Sequence, residues 1–168
     1  MPAPEFPQDP TRSDPYRTFK FQVVIDRVAV AGLRKMSGLK RTTEAIDWRS
    51  AGDQNHPRKL PGGTKYEPIT LEIGLSHDPV FENWANLVNN LAGDARMSLL
   101  NFRKNLVINV LNLQGKVALS YEVRAAWVSE FNALPDLDAG TTNAVGIQSI
   151  KIEHEGWVRK TDIQVELT

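Results

Sequence analysis

Residues 106–127, LVINVLNLQGKVALSYEVRAAW, decide how this chain folds. From Leu106 to Leu113 the apolar residues fall on both faces of an extended segment: Leu106, Ile108 and Val110 on one, Val107, Leu111 and Leu113 on the other. Gln114-Gly115 then signals a turn. Beyond it Val117, Leu119, Tyr121, Val123, Ala125 and Trp127 alternate against Ser120, Glu122, Arg124 and Glu130, the period of two that a half-buried strand requires. The two segments form a β-hairpin. Two-sided burial of one strand in a small domain predicts that a neighbouring molecule covers one of its sides.

The same alternation recurs on either side. Towards the N-terminus, Phe19, Phe21, Val23 and Ile25 alternate with Lys20, Gln22, Val24 and Asp26. Val28, Val30, Leu33 and Met36, broken by Gly32 and Gly38, predict a hairpin and a bend. Leu39 to Arg49 reads as a long strand whose apolar face is Ile46 and Trp48, and Ile69, Leu71, Ile73 and Leu75 mark another. Towards the C-terminus, Ile150 and Ile152 lead a strand that ends near Gly156-Trp157, and Ile163, Val165 and Leu167 close the chain with a final alternation. One helix stands among these strands. Val80, Phe81, Trp84, Leu87, Val88 and Leu91 make one apolar stripe at the 3.6 period, with Asp78 to cap it, Pro79 at its first position and Gly93 to stop it. Six to eight strands and one helix predict a mainly β domain, curled or barrel-like, with the helix over one opening or flank.

Three segments lack periodicity. Five of the ten prolines fall in the first 15 residues, which predicts a flexible or extended arm over residues 1–15. Residues 50–67, punctuated by Gly52, Pro57, Pro61, Gly62 and Gly63, read as a long loop of about 18 residues, a length that is usually functional or disordered. Ala133 to Asn143, with Pro135, Asp136, Asp138 and Gly140, reads as a second loop.

Composition narrows the function. The 168 residues carry 20 Lys+Arg against 20 Asp+Glu, 41% hydrophobic residues and no cysteine. This argues for one globular domain and against a disordered chain, a nucleic-acid binder held by charge, a disulfide scaffold or thiol chemistry. No membrane span or signal peptide is visible, so the chain reads as made in the cytoplasm without membrane anchoring. Catalytic constellations are also missing. His56, His77 and His154 lie far apart in the chain, with no two-histidine metal spacing and no serine elbow. Pro61-Gly62-Gly63-Thr64-Lys65 lacks the spacing of a phosphate loop, and Asp136 with Asp138 reads as turn support rather than a calcium site. Arg58, Lys59 and Lys65 are nearly balanced by Asp53 and Glu67, which favours intersubunit ion pairs over nucleic acid. Trp48, Trp84, Trp127 and Trp157 all point inward by periodicity, so they read as core rather than ligand platforms. No enzyme activity and no cofactor is expected. A monomeric β-barrel carrying a small ligand is the rival from another class.

One ordered string of segments remains: Asp14-Pro15-Tyr16-Arg17, Phe19-Lys20-Phe21, Met36-Ser37-Gly38-Leu39, Arg58-Lys59-Leu60-Pro61-Gly62, Thr64-Lys65-Tyr66 and Ile69-Thr70-Leu71. Trp84, Asn101-Phe102-Arg103-Lys104 and Glu155-Gly156-Trp157 complete it. From Asp14 to Trp157 the chain resembles the tail-tube protein family of contractile bacteriophages and phage-tail-like injection systems. The resemblance implies a β-barrel or β-sandwich subunit over residues 16–158 that assembles with itself as hexameric rings, stacked into a hollow tube inside a contractile sheath. It implies further partners at the baseplate or spike and at the tail terminator, and cargo in the lumen. By the same resemblance, residues 50–67 are an arm reaching neighbouring subunits and the next ring, through Asp53, His56, Arg58, Lys59, Leu60, Pro61, Lys65 and Tyr66. Val107, Leu111 and Leu113 are then the lateral interface strand. The proline-rich start, the connector Ala92 to Arg103 and the strand-like extension 159–168 depart from the family pattern. A tube-initiator or baseplate-junction paralogue is the alternative within the family.

Overall fold

The computed structural model describes residues 20–52, 55–89, 91, 100–140 and 144–161. In chain order they form β1 (Phe21–Ile25), β2 (Val28–Ala29), β3 (Leu33–Met36), β4 (Arg41–Trp48), β5 (Arg58–Tyr66) and β6 (Ile69–Gly74). Helix α1 (Val80–Asn86) follows, then β7 (Lys104–Leu111), β8 (Val117–Asn132), β9 (Ile147–Glu153) and β10 (Trp157–Lys160). The fold is mainly β with one helix. The proline-rich start, Gly93 and the alternation at Ile163, Val165 and Leu167 lie outside the described residues.

The β7–β8 hairpin forms with Leu106 opposite Val123 and Ile108 opposite Tyr121. Its turn is closed by Asn112, which is 2% exposed: the backbone N–H of Lys116 donates to its Oδ1 at 2.9 Å, and its own N–H donates to the carbonyl of Lys116 at 2.8 Å. Gly115 takes φ +81° there, which a side chain would resist. All pairings are antiparallel, and the strand order is β2-β1-β7-β8-β9-β6-β3, with β10 also on β8.

A single register unites β9 and β10 along β8. Trp127 faces Glu153 and Val123 faces Trp157, so His154 to Gly156 lie opposite Arg124 to Ala126. At this break Arg124 donates to the carbonyl of Gly156, Glu155 donates to that of Arg124, and Ala125 is forced to φ +50°. Bulged positions of this kind bend a strand. The 16-residue β8 thereby pairs with β7 and β10 along its first part and with β9 along its second. The expected closure into a barrel does not occur: β2 and β3 end the strand order and do not pair with each other.

The bend gathers the core. Val23, Ile25, Leu106, Ile108 and Val123 from one half meet Ile69, Leu71, Ile73, Val128, Ile150 and Ile152 from the other, with Phe81 and Trp84 of α1 completing the cluster. The Asp78 carboxylate accepts from the N–H of Val80 at 3.1 Å, as the cap reading anticipates, although Pro79 takes the N-cap position and Val80 starts the helix. The helix is shorter than its apolar stripe. Leu87 and Val88 donate to the carbonyls of Trp84 and Ala85, three residues back, so the last turn tightens and ends before any glycine, and Leu91 is fully exposed.

The clearest departure from the sequence reading is at residues 50–67. Arg58 to Tyr66, expected within a loop, are a strand, and β4 with β5 make a separate two-stranded sheet. Of the expected loop, the described residues 50–52 and 55–57 lie outside the strands. Pro61-Gly62-Gly63 hid the strand, and the register explains why it tolerates them. Thr43 faces Thr64 but Ala45 faces Pro61, so Glu44 is opposed by two glycines in a bulge. A Cβ at Gly62 would lie 3.0 Å from two carbons of Ile46 and 3.2 Å from the Glu44 carbonyl.

Candidate assembly site

The β4–β5 hairpin, read from the sequence as an arm, is a two-stranded sheet separate from the main one. Every residue of β4 is exposed, and in β5 only Gly62 and Tyr66 are half-buried. Opposed pairs share a face, so Ile46 with Leu60 and Trp48 with Arg58 form one surface, while Asp47 with Lys59 and Ala45 with Pro61 form the other. The first is apolar and wet: Ile46, Trp48 and Leu60 are 49%, 50% and 47% exposed. Trp48 therefore does not point into the core as its periodicity suggested. Alternation tells which residues share a face, not what that face meets. Of the remaining tryptophans, Trp84 is buried, with Nε1 donating to the Phe102 carbonyl at 2.9 Å, while Trp127 and Trp157 are half-buried.

Other residues assigned to the arm take distinct places. Lys59 pairs with Asp47 across the hairpin at 2.7 Å, within the chain. Lys65 is exposed opposite Thr42, next to the Thr43–Thr64 hydroxyl pair at 3.0 Å. His56 is exposed in the bend at the tip, and Asp53 lies outside the described residues.

Tyr66 belongs to the root, where the arm joins the body. Its ring lies 5.7 Å from that of His154 and against Gly156, while the Arg41 guanidinium sits 5.9 Å from the Trp157 ring. Glu67 donates to the Lys40 carbonyl at 3.0 Å and its carboxylate pairs with Lys40 at 2.7 Å. The His154 Nε2 donates to the Glu67 carbonyl at 3.0 Å. The root thus rests on the break between β9 and β10. Sequence reasoning placed His154 in a strand and gave it no partner; its contacts come from residues far away in the chain.

Val107, Leu111 and Leu113 do not offer an open strand edge. Strand β7 lies between β1 and β8 with both edges paired, and Leu113 is in the turn. Val107 shares the outward face with Val24, Glu122 and the exposed Val158 across four adjacent strands. That face, and not an edge, is what β7 can present to a neighbour.

Among the described residues no group of His, Cys, Asp or Glu is placed to hold a metal ion, and no helix is long and apolar enough to cross a membrane. No curated protein matches the chain. Solved structures do. A chain of the anti-feeding prophage (AFP) baseplate is 20% identical with a TM-score of 0.71, covering 89% of this chain and 97% of that one. A chain of the AFP tube-terminating cap is 24% identical with a TM-score of 0.73, covering 91% and 95%. A chain of the PVC sheath–tube complex, from an extracellular contractile injection system in its extended state, is 20% identical with a TM-score of 0.70, covering 87% and 91%. At these identities they establish the shared fold. The model of the family described as T4-like virus tail tube protein gp19 matches residues 17–158. The chain belongs to that tail tube family and is a structural component of a phage tail or injection-system particle, not an enzyme.

Proposed function

We propose that this chain forms hexameric rings stacked into a tube, and that the β4–β5 hairpin is the arm that joins each subunit to its neighbours. The observation that carries this reading is the solvent-exposed apolar face of Ile46, Trp48 and Leu60 on a hairpin held away from the core. Full burial of one large apolar side chain is worth about 1.5–3 kcal/mol, so covering these three half-exposed ones contributes about 2–4 kcal/mol per arm. Repetition around and along a tube makes that sufficient. Six-fold order is supported by the similar chain in the AFP baseplate, whose structure is 6-fold symmetrised. The outward face at Val107, with Leu111 and Leu113 nearby, is the proposed lateral contact, and the sheath, baseplate or spike and terminator are the proposed partners. The lumen carries the cargo.

The test replaces Ile46 and Leu60 together by serine. Both are surface positions, so the melt of the dilute chain stays near that of wild type while negative-stain microscopy shows rods lost. Rods of normal length in a folded Ile46→Ser/Leu60→Ser variant would overturn the arm assignment. A second reading, a terminal ring, is favoured by the similarity to a chain of the tube-terminating cap. Purified chain that stops at single rings supports that reading, and long rods support the repeating subunit.

A further inference from the structure

Both ring nitrogens of His154 are engaged by backbone groups of opposite character. The Gly156 N–H can only donate, and it meets Nδ1 at 3.2 Å; the Glu67 carbonyl can only accept, and it meets Nε2 at 3.0 Å. Together they require the neutral imidazole with its proton on Nε2. A second proton would sit on Nδ1, facing an N–H. That hydrogen bond would be replaced by a contact between two donors.

We propose that His154 is a pH-sensitive latch for the arm: the neutral ring ties the arm root at Glu67 to the β9–β10 break at Gly156, and protonation releases it. The elements that meet here carry charged groups of both signs. On the arm root stand Lys40, Arg41, Tyr66 and Glu67; on the break itself Glu153 and Glu155; on the flanking elements Arg103 and Arg124. The carboxylates of Glu67 and Glu155 already pair with Lys40 at 2.7 Å and Arg103 at 3.9 Å, and the cations outnumber the carboxylates. The rest of the anchorage, Tyr66 on Gly156 and Arg41 on Trp157, does not depend on the imidazole proton, so acid loosens the root without unfolding the sheet.

The latch regulates the arm given an assembly role above, and its test reads anchorage on the dilute chain. A failure here leaves arm docking standing, and a failure of docking leaves the anchorage result standing. Hydrogen exchange of the full chain is followed at about pH 7.5 and about pH 5, with protection corrected for the intrinsic exchange rate. Protection of residues 64–67 and 153–157 falls about tenfold in acid, as loss of one hydrogen bond requires, while the β6–β9 ladder holds. His154→Asn keeps an acceptor for the Gly156 N–H but does not titrate, so its root protection is the same at both pH values. Nitrogen NMR of wild type at neutral pH shows the proton on Nε2. Unchanged root protection in acid, a wild-type pH response in His154→Asn, or the proton on Nδ1 would each overturn the latch.

Discussion

Replacing Gly156 by alanine tests how the arm is joined to the body. Gly156 has φ +131°, and a Cβ there would lie 3.2 Å from Cζ of Tyr66, 3.3 Å from its hydroxyl oxygen and 3.4 Å from Cε2. Backbone of this kind costs a side-chain-bearing residue about 1–3 kcal/mol. Moving a packed ring by a few tenths of an ångström adds about 1–3 kcal/mol. The variant is therefore expected to lose about 2–5 kcal/mol in urea unfolding of the dilute chain. Gly115→Ala is the control, since Gly115 is at φ +81° with no atom within 4 Å of the added Cβ, and it carries the backbone cost alone. The excess in Gly156→Ala combines the Tyr66 contact with the greater backbone cost at φ +131°. Adding Tyr66→Ala removes that contact, so the double variant is less destabilised than the sum of the singles. Equal losses at Gly156 and Gly115, or strict additivity with Tyr66→Ala, would refute the account of the root.

Two further outcomes follow from the same structure. Trp84→Phe removes the donor to the Phe102 carbonyl and leaves that acceptor beside a smaller ring, a loss of about 1–3 kcal/mol seen as a lower urea midpoint with unchanged slope; an unchanged midpoint would count against it. Lys59→Ala breaks a pair whose side chains are 68% and 56% exposed, so stability changes by no more than about 0.5 kcal/mol in the same assay. A loss above about 1 kcal/mol would show that the pair is part of a stronger network than its exposure allows.

Legibility followed burial. Strands β1, β6, β8 and β9 place Val23, Ile69, Leu71, Val123, Val128, Ile150 and Ile152 in the core, so their alternation in sequence was strong. Strand β5 has no buried face, and its Pro61-Gly62-Gly63 run imitates a loop because an exposed, bulged hairpin imposes neither a donor nor a side chain there. Helix α1 was over-extended for the opposite reason: Leu91 continues the periodic stripe, yet it meets no core. Among the residues proposed for assembly, Leu60 is half-exposed on the apolar face and Arg58 shares that face, but periodicity points its apolar partner Trp48 inward.

The chain's local pattern alone determined the class of fold, the place of the helix, the β7–β8 turn and the lack of catalytic spacing. Each of these depends on neighbours a few residues apart, and side-chain period and turn chemistry express that directly. Tertiary structure alone decided which apolar faces stay wet, that β7 is flanked on both sides, and that His154 meets Glu67, 87 residues away. A strand's repeat sets the directions of its side chains, but what lies in those directions is chosen by distant segments brought together when β8 bends.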